Sequence, residues 1–230
     1  MTTLPEIIGA LLSDAFHLIG VPGGSIAEVA ISRYFRRRYE MARDILLEEL
    51  RGGNISEAQA ASEDDAIAVI VRYLRASWEG TARLNLRLLA KAIAGKLRSG
   101  GLVADEFLQY AEALSSLSRD EIIVLGTMYR YWIVQQESYG NDTHEAGDPN
   151  RDPWEMTLME LTERGMTEEL VSTVASMAQQ SGLLYPMYGR VGYAAARYGD
   201  LSFRVSPLLI DLGKTVDFKE ALLREASQLG

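Results

Sequence analysis

The chain has 230 residues, of which 47% are hydrophobic and 24% charged, so it can form a packed core in one large or two small domains. Its formal net charge of −9 opposes binding to phosphate backbones unless Lys and Arg gather locally. The absence of Cys excludes disulfides, thiolate metal sites and cysteine nucleophiles. The N-terminal residues lack the basic region of a signal peptide, and their apolar run is shorter than the roughly 20 residues of a membrane span. We therefore expect a soluble, cytoplasmic protein.

Helical patterns dominate the N-terminal region, residues 1–117. Capping boxes, acidic first turns and glycines after the last turn mark the helix ends. The predicted helices cover residues 4–19, 25–50, 63–98 and 105–117. Apolar residues recur at spacings of three and four from Ile67 to Ile93, so we expect a helical bundle built on one long helix over 63–98. Gly80 lies within this stripe, and a break there is the alternative to a continuous helix.

The C-terminal region, residues 118–230, predicts three helices, a two-stranded ribbon and a closing helix. The capping box Ser118-Arg-Asp-Glu121 begins the first helix, and Pro153 begins the second. Between them, residues 139–152 are rich in turn-forming residues and predict a loop. The later elements are a third helix over 166–180, a ribbon over 185–206 with a hairpin turn at Gly199-Asp200, and a final helix over 217–228.

Two segments of this region, STVASMAQQSGLLYP and FRVSPLLIDLGKTV, resemble the recognition helix, wing and closing segment of winged-helix proteins of the multiple-antibiotic-resistance type. The resemblance covers under half of the chain. It implies a winged-helix-like C-terminal unit. Together with the predicted N-terminal bundle, this gives a mainly α fold in a protein that we expect to be bacterial. The resemblance also implies that the third helix faces the major groove of DNA through Glu168, Glu169, Ser172, Thr173, Ser176 and Gln179. The arginines that it implies on or near the wing are Arg190, Arg197 and Arg204.

Charge argues against DNA reading by this third helix. From Asp142 to Glu169 the sequence has nine acidic residues and two arginines, a net charge of −7. The helix begins with Glu168 and Glu169 and contains no Lys or Arg, so the DNA backbone repels it. We therefore predict a non-enzymatic regulatory or protein-interaction module, with a protein partner or a second copy of the chain. A DNA-binding transcriptional regulator is the first alternative.

A cluster of arginines is the one basic concentration in the N-terminal region, and its members are Arg33, Arg36, Arg37, Arg38 and Arg43. Interleaved with aromatic residues, they are candidates for contact with nucleic acid or another anionic surface. The alternative is a solvent-exposed helix face with ion pairs along it. Glu40 lies four residues after Arg36 and three before Arg43, which is the spacing of neighbouring side chains on a helix. We favour this alternative.

The loop over 139–152 is oxygen-rich, and its candidate ligands for Mg²⁺ or Ca²⁺ are Asn141, Asp142, His144, Glu145, Asp148, Asn150 and Asp152. Pro153 stands where a calcium loop needs its glycine, so we expect a polar loop without metal. No nucleophile elbow or phosphate loop occurs, and we predict neither catalysis nor a cofactor. The apolar N-terminus, Leu4 to Ile31, predicts a buried or dimer-forming hairpin, with membrane-surface binding as the alternative.

Overall fold

A computed structural model describes residues 26–52, 63–99, 101–140, 152–188 and 201–227. Over these residues the chain forms nine helices and two strands, so the predicted mainly α fold with a small β-ribbon is confirmed. The helices are α1 (Ile26–Gly52), α2 (Glu63–Trp78), α3 (Arg83–Ser99), α4 (Ala104–Ser115), α5 (Arg119–Gly140), α6 (Pro153–Glu163), α7 (Glu168–Gln180), α8 (Pro207–Thr215) and α9 (Phe218–Ser227). The strands are β1 (Leu184–Tyr188) and β2 (Leu201–Val205).

The described residues group into two compact units. Residues up to Ser116 and from Ala221 onward form the first unit, and Leu117–Glu220 form the second. The sequence-based boundary lies between residues 117 and 118. Each unit has its own apolar core, with Leu89 fully buried in the first and Leu161 fully buried in the second.

The apolar stripe over 63–98 belongs to two helices, so the prediction of one long helix was wrong and the alternative of a break at Gly80 is confirmed. Helix α2 ends at Trp78, and Gly80 adopts a φ of +91° before α3 begins. Glycine adopts this conformation without the steric cost that a Cβ would impose. The stripe continues across the break because both helices place apolar side chains in the core of the same unit.

Helix α3 is the central helix of the first unit. Every residue from Leu84 to Gly95 is buried, and the helix packs against α1, α2 and α4. Side chains of α2 and α3 bind backbone groups at the two ends of α4. Asp65 of α2 accepts a hydrogen bond from the Ala104 amide (3.0 Å), and Asn85 of α3 donates to the Leu114 carbonyl (2.7 Å). Asp65 lies in the first turn of α2, and its side chain satisfies an amide 39 residues away along the chain.

Side-chain caps begin most helices of the second unit. The predicted capping box is confirmed, since Ser118 Oγ accepts from the Glu121 amide (3.2 Å) and Glu121 Oε2 accepts from the Ser118 amide (2.8 Å). The other caps are Asp152 for α6, Thr167 for α7 and Ser206 for α8. We had not predicted α8 as a helix, although Ser206 followed by Pro207 is a sequence signal for a helix start.

The ribbon packs its inner side onto the helices of the second unit. Strands β1 and β2 are antiparallel, with Leu184 opposite Val205 and Tyr188 opposite Leu201. Phe203 is fully buried, and the Trp154 ring meets it edge-on with the ring centroids 4.8 Å apart. This aromatic contact joins β2 to the start of α6.

Candidate interaction surfaces

Helices α6 and α7 form a helix–turn–helix that fixes which side of α7 faces outward. The turn contains Gly165, with a φ of +94°, and the Thr167 hydroxyl accepts from the Leu170 amide (3.2 Å). The buried residues of α7 follow a helical spacing and are Val171, Val174, Ala175 and Ala178. Because these residues occupy one side, the remaining side of α7 is available for contact with other molecules.

The six residues that the resemblance assigned to the DNA groove all lie on the outward side of α7, exposed or half-exposed. Two of their hydroxyls are engaged by the helix itself, since Thr173 donates to the Glu169 carbonyl (2.7 Å) and Ser176 to the Ser172 carbonyl (2.8 Å). These hydroxyl hydrogens therefore do not reach outward to a ligand. The sequence placed the residues on the outward side but did not show this local bonding.

An apolar stripe also lies on the outward side of α7. Leu170 is 43% exposed and Met177 is 48% exposed, and their spacing of seven residues puts them on one line along the helix. Glu168 and Glu169 are exposed in the first turn, with Glu169 next to Leu170 and Glu168 on the other flank of the outward side. We call these four residues the α7 face. The sequence analysis did not identify Leu170 and Met177 as exposed. Their exposure becomes clear only when the buried residues of α7 are known.

The ribbon presents one described arginine. Arg204 is exposed and lies opposite Tyr185, which is 53% exposed. Cross-strand partners share one face of a ribbon, so the two side chains form a basic and aromatic pair on its outer side. Arg190, Arg197 and the predicted turn at Gly199-Asp200 lie outside the described residues.

A network around Glu160 joins α5 to α6. Arg130 contacts Glu160 Oε2, Tyr131 donates to the same oxygen (2.6 Å), and Arg164 lies 2.5 Å from Oε1. Burial by itself would raise the pKa of Glu160. The hydrogen bonds from Tyr131 and Arg130, with the charges of Arg130 and Arg164, outweigh it and hold the pKa below its ordinary value. Two basic side chains of this unit are thus already paired with a carboxylate.

The arginine cluster of α1 divides into members with different roles. Arg38 donates through Nε to the Ser77 carbonyl (2.9 Å) and through Nη2 to the Thr81 carbonyl, while Ser77 Oγ donates to the Arg38 carbonyl (2.9 Å). We call this the Arg38 clamp. The clamp satisfies carbonyls at the end of α2. It gives Arg38 a structural role that the sequence analysis did not predict.

The other cluster members are exposed. Arg43 pairs with Asp44 (2.9 Å), not with Glu40 as the helical spacing predicted. Arg33 and Arg37 are exposed and four residues apart on one side of α1, next to Tyr34, which is 49% exposed. We call Arg33, Tyr34 and Arg37 the α1 basic face. Arg36 is also exposed.

A buried ionic cluster lies between α1 and α3, and the sequence analysis did not find it. Arg87 is fully buried and donates to Glu49 (2.9 Å) and to the half-exposed Glu48 (3.1 Å). Lys91 lies 3.5 Å from the other oxygen of Glu49, whose side chain is 7% exposed. Close by, burial raises the pKa of Tyr73 far above its ordinary value, and its hydroxyl donates to the Ala42 carbonyl (2.9 Å). The only sequence signal was two basic residues, Arg87 and Lys91, four positions apart in a helix otherwise rich in Leu and Ala.

The remaining predicted sites fall mostly outside the described residues. Helix α5 extends to Gly140, into the predicted loop, and Asp152 accepts from the Trp154 amide (3.2 Å) as the cap of α6. The other candidate metal ligands and most of Leu4 to Ile31 lie outside. Among the described residues, no three His, Cys, Asp or Glu side chains come together as a metal site. None of the described helices is both long and apolar enough to cross a membrane.

The chain matches no protein-family model, and neither a curated protein nor a solved structure shows significant similarity to it.

Proposed function

We propose that the second unit is a winged-helix-like scaffold used for protein contact, within a regulatory or interaction protein of the cytoplasm. The order of its elements supports the scaffold: a first helix, a helix–turn–helix, an antiparallel ribbon and a closing helical segment. This order is the one that the resemblance to winged-helix proteins implies. Because one fold supports many functions, the use of the scaffold is inferred from its surface.

The observation that carries the proposal is the chemistry of the α7 face. Leu170 and Met177 expose apolar area, while Glu168 and Glu169 add negative charge and no basic residue occurs between Glu168 and Gln180. Protein interfaces enclose apolar side chains, Met among them, within a polar rim. A nucleic-acid contact requires Lys and Arg to displace counterions, and α7 has neither.

A pair of charge-matched variants tests this proposal. Leu170→Glu/Met177→Glu changes the α7 face, and Val71→Glu/Leu223→Glu makes the same change at two exposed apolar residues elsewhere. Each tagged protein is used to capture proteins from the cells that produce it, with the two variants and the original chain compared quantitatively. We expect at least one protein that the original chain and the control retain and the α7 variant loses. Identical capture by all three proteins would contradict the proposal.

The second candidate function is DNA binding, and the exposed pair of Arg204 and Tyr185 favours it. A basic and aromatic wing can contact phosphate and sugar without an inserted helix. A gel-shift assay on random duplex DNA at low salt tests this reading. DNA binding through the ribbon predicts a shift that weakens when salt is added and when Arg190, Arg197 and Arg204 are changed to Glu. The absence of any shift would remove this candidate.

A further inference from the structure

The chain divides its charge unevenly. The sequence from Leu117 to Glu220 contains sixteen acidic and nine basic residues, a net charge of −7, out of −9 for the whole chain. In contrast, residues 33–43 contain five arginines and one glutamate, a net charge of +4. The chain therefore carries a strongly basic segment and a strongly acidic region, and two copies can attract each other locally despite their net charge.

The α1 basic face has the composition of a binding surface. Arg33 and Arg37 are one helical turn apart, and Tyr34, three residues before Arg37, is a neighbour of Arg37 with about half of its side chain exposed. The Tyr34 ring is supported by the Phe35 ring at a centroid distance of 5.6 Å. Tyr and Arg are enriched at protein interfaces because they combine apolar area with specific hydrogen bonding.

The α7 face offers the complementary groups. Glu168 and Glu169 are acceptors for two guanidinium groups, and the flexible Met177 side chain with Leu170 offers an apolar surface for an aromatic ring. We propose that the α7 face of one copy binds the α1 basic face of a second copy. This inference rests on the proposed function, and it names the partner as the chain itself.

Such an interface is heterologous, because two different surfaces meet and each copy carries both. Repetition of the contact forms a ring if the rotation closes and a longer chain of copies if it does not. The guanidinium and carboxylate groups lie at exposed positions, where salt screens them, so association weakens as the ionic strength rises.

Sedimentation velocity of the full chain, over protein concentration and at low and high salt, tests the inference with three variants. The acid-reversal variant is Glu168→Arg/Glu169→Arg, the base-reversal variant is Arg33→Glu/Arg37→Glu, and the swap variant contains all four changes. A control, Arg51→Glu/Arg119→Glu, reverses two other exposed arginines. We expect salt-sensitive association of the original chain, retained by the control and weakened at least tenfold in each single-side variant.

Restoration of the contact separates binding from a folding defect. The swap variant, and an equimolar mixture of the two single-side variants, should associate again because their opposing faces are once more opposite in charge. Loss of association in both would overturn the inference, as would association that none of the reversals changes.

A monomeric original chain at every concentration would also overturn the inference. If the captured protein of the previous experiment still depends on Leu170 and Met177, the proposed function survives this loss. If instead the monomer binds anionic vesicles or duplex DNA through Arg33 and Arg37, the α1 basic face belongs to an anionic ligand and the inference falls.

Discussion

The buried ionic cluster predicts an asymmetric response to removal of its two sides. Replacing Glu49 by Leu leaves Arg87, which is fully buried, and Lys91, whose side chain is 9% exposed, without the carboxylate that they share. Replacing Arg87 by Met leaves Glu49 with Lys91 at 3.5 Å. The first change removes the shared carboxylate from two buried cations and leaves Arg87 with the more exposed Glu48 at 3.1 Å, whereas the second leaves the pair of Glu49 and Lys91 in place. We therefore expect Glu49→Leu to be the more destabilising change.

The magnitude follows from the cost of uncompensated buried charge. Removal of one partner of a buried pair costs about 3–5 kcal/mol, and loss of a hydrogen bond to a charged group costs about 1.5–3 kcal/mol. We expect Glu49→Leu near the upper figure and Arg87→Met near the lower one. A small domain has about 5–15 kcal/mol of stability, so the Glu49 change removes a large share. The double variant Glu49→Leu/Arg87→Met should lose at least about 1 kcal/mol less stability than the sum of the two single changes, because neither Glu49 nor Arg87 remains to lose its partner.

Urea unfolding followed by circular dichroism measures these free energies of unfolding. The relevant transition is the unfolding of the first unit, which contains the cluster. Equal costs for the two single variants, or a larger cost for Arg87→Met, would refute the assignment of Glu49 as the shared counter-ion. Additive costs in the double variant would show that Glu49 and Arg87 do not depend on each other.

Three further changes test other parts of the structure. Gly213→Ala should lower the free energy of unfolding by about 1–3 kcal/mol, because the added methyl group would overlap the Tyr129 ring. This cost outweighs the gain of about 1 kcal/mol in helix propensity. Gly52→Ala is the control, because the space around Gly52 is open. Arg38→Met should cost about 1.5–3 kcal/mol by removing the Arg38 clamp. Glu160→Gln should destabilise at neutral pH, with the difference from the original chain shrinking below about pH 4.3. The thermal midpoint, or urea unfolding at each pH, measures all three.

The sign of the pH effect follows from the lowered pKa of Glu160. Its stabilisation is fully present above the unfolded pKa and is lost as the pH falls through the folded one. A difference that grew on acidification would contradict this network. For the glycine pair, a stabilised Gly213→Ala protein would show that the Tyr129 ring moves at little cost. For the clamp, an unchanged midpoint would mean that water replaces the guanidinium at the end of α2.

Local patterns predicted much of the fold. The capping box at Ser118, the start of α6 at Pro153 and the ribbon depend on residues close together in sequence, so one chain segment contains the whole signal. The break at Gly80 could be stated only as an alternative, because the apolar period is the same for one long helix and for two. Helix α8 was not predicted, because the resemblance described its residues only as a closing segment after the wing.

The candidate surfaces divide in the same way. The outward position of Glu168 and Thr173 follows from helical spacing, which is a local property. The exposure of Leu170 and Met177 depends on which face of α7 the rest of the unit covers. The sequence of α7 cannot show which apolar residues are exposed, because the helix contains more apolar residues than its buried side holds.

By itself, the sequence determined the helical class, most helix starts, the ribbon and the acidic character of α7, because these follow from neighbouring residues and from composition. Only the tertiary structure decided the roles of individual charges. Arg38 is a clamp on α2 and Arg87 is half of a buried pair, each with a partner 38 or 39 residues away, while Arg33 and Arg37 stay exposed. Arginines look alike in a sequence, and their function depends on whether folding brings a carbonyl, a carboxylate or water to the guanidinium group.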